Sequence, residues 1–259
     1  MSKLQGRVAL VTGAGRGIGR AISVSLAAEG AKVAVAARTT AELDSLVDEI
    51  KSAGGESIAL QADLSDRSVP ARLVQQAKDA FGPIQILVNN AGLGSSSNPK
   101  PAVDFDDDFW EQSLLINLTA PYLLCKAVLP DMLAAKRGRI ITVASINGRV
   151  GSYHGAAYAA GKHGVMGLMR TLAMEVAGEG ITVNSICPGP VKTLMNDKRI
   201  EYDAERLGRD LAAHEKSLTP IGGRLLPEDI APMAVYFASD DASMVTGQSY
   251  NIDGGLVMS

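Results

Sequence analysis

Seven short runs rich in Val, Ile and Ala, at 7–12, 31–37, 57–61, 84–89, 138–144, 181–186 and 249–252, alternate with longer segments of helical period. Near-continuous apolar strands separated by amphipathic helices are the pattern of βαβ units whose parallel sheet is covered on both faces. In the segment 41–53, for example, Leu43, Leu46, Val47 and Ile50 fall at helical spacing while Glu42, Asp48 and Glu49 point away. Right-handed crossovers between such strands allow few arrangements, so the expected fold is α/β, Rossmann-like and doubly wound, with one seven-stranded parallel sheet and helices on both faces. Ligands of such folds sit at the carboxyl ends of the strands. With 259 residues, 46% of them hydrophobic, and no composition break, the expectation is one domain spanning 1–259.

The first run, Val8-Ala9-Leu10-Val11, leads into Thr12-Gly13-Ala14-Gly15-Arg16-Gly17-Ile18-Gly19 and then a helical segment, 20–28. Glycine permits a tight turn and close backbone approach, and a helix N-terminus offers unpaired N–H groups to a pyrophosphate. A dinucleotide is the expected occupant, held by Gly13, Gly15, Arg16, Gly17, Ile18 and Gly19. Sites that prefer NAD carry an acidic residue about 20 positions after the loop. Here the second run ends Ala36-Ala37-Arg38-Thr39-Thr40, with no carboxylate at that place. Arg38, aided by Arg16, suits a 2′-phosphate, so NADP(H) is favoured; NAD(H) is possible, with Arg38 stacked on the adenine.

Tyr158 and Lys162 are four apart in a helical stretch, so they share a face about 5–6 Å apart at Cβ. A phenol useful near neutrality needs a shift of about three units, roughly 4 kcal/mol. An ammonium about 4 Å away supplies about that much at an effective dielectric near 20. Ser145 ends an apolar run thirteen residues before Tyr158, and Asn117 lies upstream. Read singly, these are also a surface tyrosine, a solvated lysine, a turn serine and an ordinary buried amide.

Taken together the motifs resemble the single-domain form of the short-chain dehydrogenase/reductase family over essentially the whole chain. TGAGRGIG at 12–19 is similar to the family's glycine loop, Asp63-Leu64 to its adenine-contacting pair, and Asn89-Asn90-Ala91-Gly92 to its NNAG segment. Asn117, Ser145 and Tyr158-Ala159-Ala160-Gly161-Lys162 resemble its catalytic tetrad, and Pro188-Gly189-Pro190-Val191-Lys192-Thr193 its PG segment. The resemblance implies hydride transfer between a nicotinamide and a carbonyl or secondary-alcohol carbon. It makes Tyr158 the general acid/base, Ser145 the polariser of the substrate oxygen, and Lys162 a partner of Tyr158 and of the nicotinamide ribose. It also makes Asn117 the holder of a water that links Lys162 to solvent. Asp63, Leu64, Asn90, Ala91, Gly92, Pro188, Gly189, Val191 and Thr193 join the cofactor residues, with Thr193 at the carboxamide. Reduction of 3-oxoacyl thioesters is an alternative within the family, weakened because Glu179 stands where such reductases often carry a base. A non-catalytic dinucleotide-binding protein is a further alternative, disfavoured by the joint presence of all four polar residues.

Net charge is −3 and no Lys/Arg stripe forms, so nucleic acid and anionic membrane are poor partners and a small carbonyl or alcohol is a better one. No leader-like start and no uninterrupted apolar run near roughly 18 residues occur, which reads as cytoplasmic. Cys125 and Cys187 lack metal or redox spacing and read as reduced and structural, and no metal site is expected. No G-x-S-x-G elbow accompanies His154, His163 or His214, which sets a hydrolase aside; His154 is either a substrate contact or a solvated loop residue. Substrate choice is expected in 93–103, 146–155 and 192–223. Within the last, 196–216 reads as a solvated mixed-charge helix with Met195, Ile200, Leu207 and Leu211 inward, either a mobile lid or a packed insert. The helix 156–177 is apolar around its circumference, which suggests subunit packing as a homotetramer or homodimer.

Overall fold

In chain order the computed structural model, which describes residues 2–258, runs β1 (Val8–Thr12), α1 (Gly17–Ala28), β2 (Lys32–Ala37), α2 (Thr40–Ser52), β3 (Glu56–Gln61) and α3 (Val69–Phe81). It continues with β4 (Ile86–Asn89), α4 (Asp107–Leu114), a π-helical turn (Leu115–Thr119), α5 (Ala120–Ala135), β5 (Gly138–Val143) and α6 (Ala156–Val176). The last part holds β6 (Ile181–Pro188), α7 (Leu194–Arg206), α8 (Leu211–Lys216), α9 (Pro227–Ala238) and β7 (Ser249–Ile252). All seven strands are parallel, in the order β3-β2-β1-β4-β5-β6-β7.

Side chains alternate across a strand, and both sides of this sheet are apolar, which is why helices cover both. Along β1, Val8 and Leu10 join one buried cluster and Ala9 and Val11 the other. The first cluster takes Leu73 of α3, Leu124 and Val128 of α5, and Val165 and Met169 of α6. The second takes Ile22 and Leu26 of α1, Leu43, Leu46 and Ile50 of α2, and Ile230 and Phe237 of α9. Strand order reverses at β1, between β2 and β4, so the chain diverges there and leaves a crevice at the carboxyl ends of β1 and β4.

The sheet matches the expectation from the alternation, with ends moved by one or two residues. β6 runs to Pro188 because pairing with β7 continues through Cys187↔Asn251 and Pro188↔Ile252. Helix α1 starts at Gly17, three residues earlier than expected. The continuous helical stretch Asp107–Ala135 has an 18-residue window of mean hydropathy 1.3, enough by length and composition to cross a bilayer; 44% of that window is buried. Its α5 part packs against α3 and its α4 part against α6. Helix α6 is buried along one side only. Met174 is 85% exposed and Gly167 is exposed, so the apolar circumference read from sequence leaves an open face in the single chain.

Candidate active site

The glycine loop is braced by β4. Thr12 Oγ1 accepts the N–H groups of Asn90 (3.1 Å) and Ala91 (3.2 Å), and Asn90 Nδ2 donates to the carbonyls of Thr12 (2.9 Å) and Gly13 (3.0 Å). Gly13 has φ +63, and a Cβ there would lie 2.8 Å from Ala91 Cα. No side chain caps the N-terminus of α1 and no acidic residue stands in its first turn, so its N–H groups remain available to an anion. These features fit a pyrophosphate. Asp63 lies farther along the cleft, its carboxyl held below the usual range chiefly by the Ser65 N–H (3.0 Å), with Arg38 adding to the effect.

Tyr158 and Lys162 occupy the same side of α6, with Lys162 Nζ 5.7 Å from the phenol ring centroid and donating to Val143 O at 3.0 Å. The Ser145 hydroxyl hydrogen-bonds to Tyr158 and accepts the Asn147 N–H at 3.1 Å, which fixes it at the head of a 3₁₀ turn after β5. Asn117 is presented by the π-helical turn, an irregularity that often marks functional positions. Its side chain bonds both ways with Leu93, through Nδ2 to the carbonyl (3.0 Å) and Oδ1 from the N–H (3.3 Å), and Nδ2 also reaches Ser113 Oγ (3.2 Å). Gly161 keeps α6 against this turn, since a Cβ there would sit 3.0 Å from Asn117 Cβ.

The electrostatics differ from the Coulomb argument made on sequence. Burial dominates both partners: it raises the Tyr158 phenol above its ordinary value, opposed by the Ser145 hydrogen bond, and it pulls Lys162 down to about 8. The cost of removing both groups from water outweighs the attraction between the two charges. The protein alone therefore holds a neutral phenol. Lys162 deprotonates at 10.5 when unfolded and about 8 when folded, so its burial destabilises the fold below pH 8, an effect relieved between pH 8 and 10.5. Lys162→Met is accordingly expected to melt higher than wild type at pH 7. The gain is roughly 3 kcal/mol of relieved charge burial less about 1 kcal/mol for the donor lost to Val143 O. Thermal melts across pH 7–10 check this: the gap should narrow as pH rises, and a variant less stable at pH 7 would contradict it.

Every cofactor and catalytic residue assigned on sequence lines one cleft of about 750 Å³, except Gly19, which lies beneath the loop, and Asn117, which is buried behind Lys162. Two assignments of charged groups change. Glu42, expected to face away, lines the cleft with its carboxylate 3.3 Å from Arg16, so an acid absent from β2 arrives from the first turn of α2. Arg199 and Asp203, expected on a solvated face, also line the cleft and pair at 2.7 Å. Of the inward residues expected in 196–216 only Ile200 is buried; Met195, Leu207 and Leu211 are 42–45% exposed, and Ala204 and His214 take the inner positions. The segment is two helices that turn at Gly208 (φ +61), which breaks the single period assumed. A spacing of one helical turn between Arg199 and Asp203 was the only signal of their pairing.

The segment 194–206 is held down by contacts to both neighbouring loops. Ser96 Oγ donates to Met195 O (3.0 Å), Arg206 lies 4.0 Å from the Tyr153 ring centroid, and His154, with φ +53, hydrogen-bonds to Tyr202. His154 is thus neither a cleft residue nor a free loop residue. Thr193 caps α7, accepting the Asn196 N–H at 3.3 Å, and faces Gly17. Cys125 and Cys187 are buried and free, Cys125 pushed up to about 12 by burial.

Residues 7–204 match the family model described as short chain dehydrogenase. The chain is 38% identical over 260 residues to a 3-oxoacyl-[acyl-carrier-protein] reductase of Synechocystis sp., covering 100% of both. Among solved structures it resembles a protein of Beutenbergia cavernae provisionally named an NAD(P)-dependent gluconate 5-dehydrogenase and solved with bound NADP. That likeness has TM-score 0.88 and 40% identity, and covers 98% of each chain. It also resembles a point variant of the actinorhodin polyketide ketoreductase with NADPH, with TM-score 0.91, 35% identity, and 96% and 97% of the chains covered.

Proposed function

Because the chain belongs to the short-chain dehydrogenase/reductase family, we propose that its cleft binds NADP(H) and that Tyr158 delivers or removes the proton as a carbonyl and a secondary alcohol interconvert. The chain is an oxidoreductase acting on CH–OH/C=O, and bound NADPH supplies the hydride in the reducing direction. The observation that carries the assignment of roles is the meeting of Tyr158, Lys162 and Ser145 at the end of the cleft that begins with the glycine loop.

Ser145 donates to or accepts from the substrate oxygen while its own position is held by the Asn147 N–H. Tyr158 holds its proton at Oη through neutral pH, as burial dictates. Lys162 is fixed by Val143 O on the side of α6 that faces Gly92 and Asn117, and its remaining N–H groups can serve a ribose hydroxyl and a proton relay. With the Asn117 amide committed to Leu93 and Ser113, the water that it holds for Lys162 would use its main-chain carbonyl. Arg38 and Arg16 would receive the 2′-phosphate, and Thr193 the carboxamide.

Residues 1–259 then form one catalytic domain, with 192–223 as its substrate lid. The open face of α6 supports assembly as a homotetramer or homodimer, and the protein is read as cytoplasmic, acting on a small molecule. A carrier-borne 3-oxoacyl substrate is the alternative; Glu179, held against it on sequence, lies in the turn before β6 at the amino ends of the strands and not among the residues lining the cleft, so it carries no weight there.

Oxidation of NADPH and of NADH followed against a panel of ketones, with reverse assays on alcohols, tests the reading; no consumption with any carbonyl would sink it. Glu42 adds a second expectation. Its carboxylate competes with a 2′-phosphate for Arg16, so Glu42→Gln should tighten NADPH roughly 3- to 10-fold and leave NADH nearly unchanged, as read by fluorescence titration. Equal effects on both nucleotides would remove Glu42 from cofactor discrimination.

A further inference from the structure

Arg199 is mostly covered, its side chain 17% exposed, and that of Asp203 is 19% exposed. Asp203 engages two edges of the guanidinium, Nε at 2.7 Å and Nη2 at 3.0 Å, and leaves Nη1 turned toward Ser95 Oγ, 3.4 Å away. That distance is at the outer limit of a hydrogen bond, so this arm is under-used. Arg206 places a second guanidinium on the same Asp203 oxygen at 3.2 Å. Two cations therefore share one anion, and the remaining positive charge lies at the cleft wall. The other carboxylates lining the cleft, among the described residues, are Glu42 and Asp63 at the opposite, adenosine end.

This Nη1 arm, held only by its long contact to Ser95, also stands in the right neighbourhood. A Cβ on Gly155, three residues before Tyr158, would meet Ser152 Oγ at 2.5 Å and Ser95 Cβ at 2.9 Å, so both serines flank the start of α6. An oxygen anion beside Ser95 would accept from Nη1 and from a serine hydroxyl, with charge-assisted geometry that a neutral ketone cannot exploit.

The geometry points to a carboxylate subsite made by Arg199 and Ser95, and hence to a small oxo acid or hydroxy acid as the substrate class. The inference rests on the carbonyl/alcohol reading above and specifies the substrate's second functional group. Reduction leaves this carboxylate unchanged: the C=O carbon gains the hydride supplied by NADPH, its oxygen gains the Tyr158 proton, and solvent reprotonates the phenol.

Matched pairs test it: acetoacetate against methyl acetoacetate, and levulinate against methyl levulinate, with malonate as a competing anion. Wild type should show a lower KM for the acid of at least one pair. Arg199→Gln should raise that KM roughly 10- to 100-fold while leaving kcat/KM for the ester within about twofold, and Arg199→Lys should recover part of the loss. Asp203 keeps Arg206 in these variants, so no carboxylate is stranded. Malonate binding to the NADPH-saturated protein, measured by calorimetry, should weaken in Arg199→Gln to the same extent. Preference for the esters, or equal losses for acid and ester, would overturn the subsite. If no carbonyl is reduced at all, the carbonyl reading fails, and calorimetry still judges the subsite: malonate binding that depends on Arg199 supports it, and its absence overturns it.

Discussion

Tyr158→Phe is expected to lower kcat for carbonyl reduction by about 10³-fold, within the range that a positioned general acid contributes, while NADPH affinity changes little. The substitution keeps the ring in its place in α6 and removes one oxygen, the one bonded to Ser145. Burial keeps the phenol protonated through neutral pH, so the wild-type acid is present where reduction needs it, and the variant has nothing to substitute. The sign also orders the two directions. Reduction should run undiminished through neutral pH, whereas alcohol oxidation, which needs the phenolate, should rise with pH. Steady-state assays beside fluorescence titration of NADPH separate chemistry from binding; turnover within tenfold of wild type would remove Tyr158 from the proton step.

Gly19→Ala should lose NADPH binding by at least about 100-fold, because its effect falls on the loop that receives the pyrophosphate. An added Cβ would land on the Gly13 carbonyl oxygen and Asn90 Nδ2, the two groups joined by a 3.0 Å hydrogen bond, and 2.9 Å from Gly13 C. Neither can retreat easily. Gly13 is pressed against Ala91, and Asn90 is tied to Thr12 through its side chain and its N–H. Overpacking of this kind costs about 1–3 kcal/mol, so a melting temperature lower by several degrees should accompany the loss. Native affinity with an unchanged melting temperature would show that the loop has slack.

The readable part of the site was the part written in contiguous segments. The glycine loop, the segment Asn89–Gly92 and the pair Tyr158/Lys162 each lie within one element or at one strand end, where local spacing dictates proximity. Glu42, Arg199 and Asp203 were misread as solvent-facing because a charge on an amphipathic helix opposite its apolar stripe has the same local pattern whether water or a cleft lies beyond it. The π-helical turn that carries Asn117 left no mark either, since Leu115–Thr119 has an ordinary helical composition.

Local periodicity and glycine placement by themselves determined the seven parallel strands, the helices on both faces and the position of the nucleotide loop, because backbone geometry and apolar burial act over a few residues. Only the packed chain decided the charges. Long-range folding sets α2 beside the loop and α7 over the cleft, and the low-dielectric surroundings of Tyr158 push its phenol up, opposite to the downward shift that a pairwise attraction in sequence would assign.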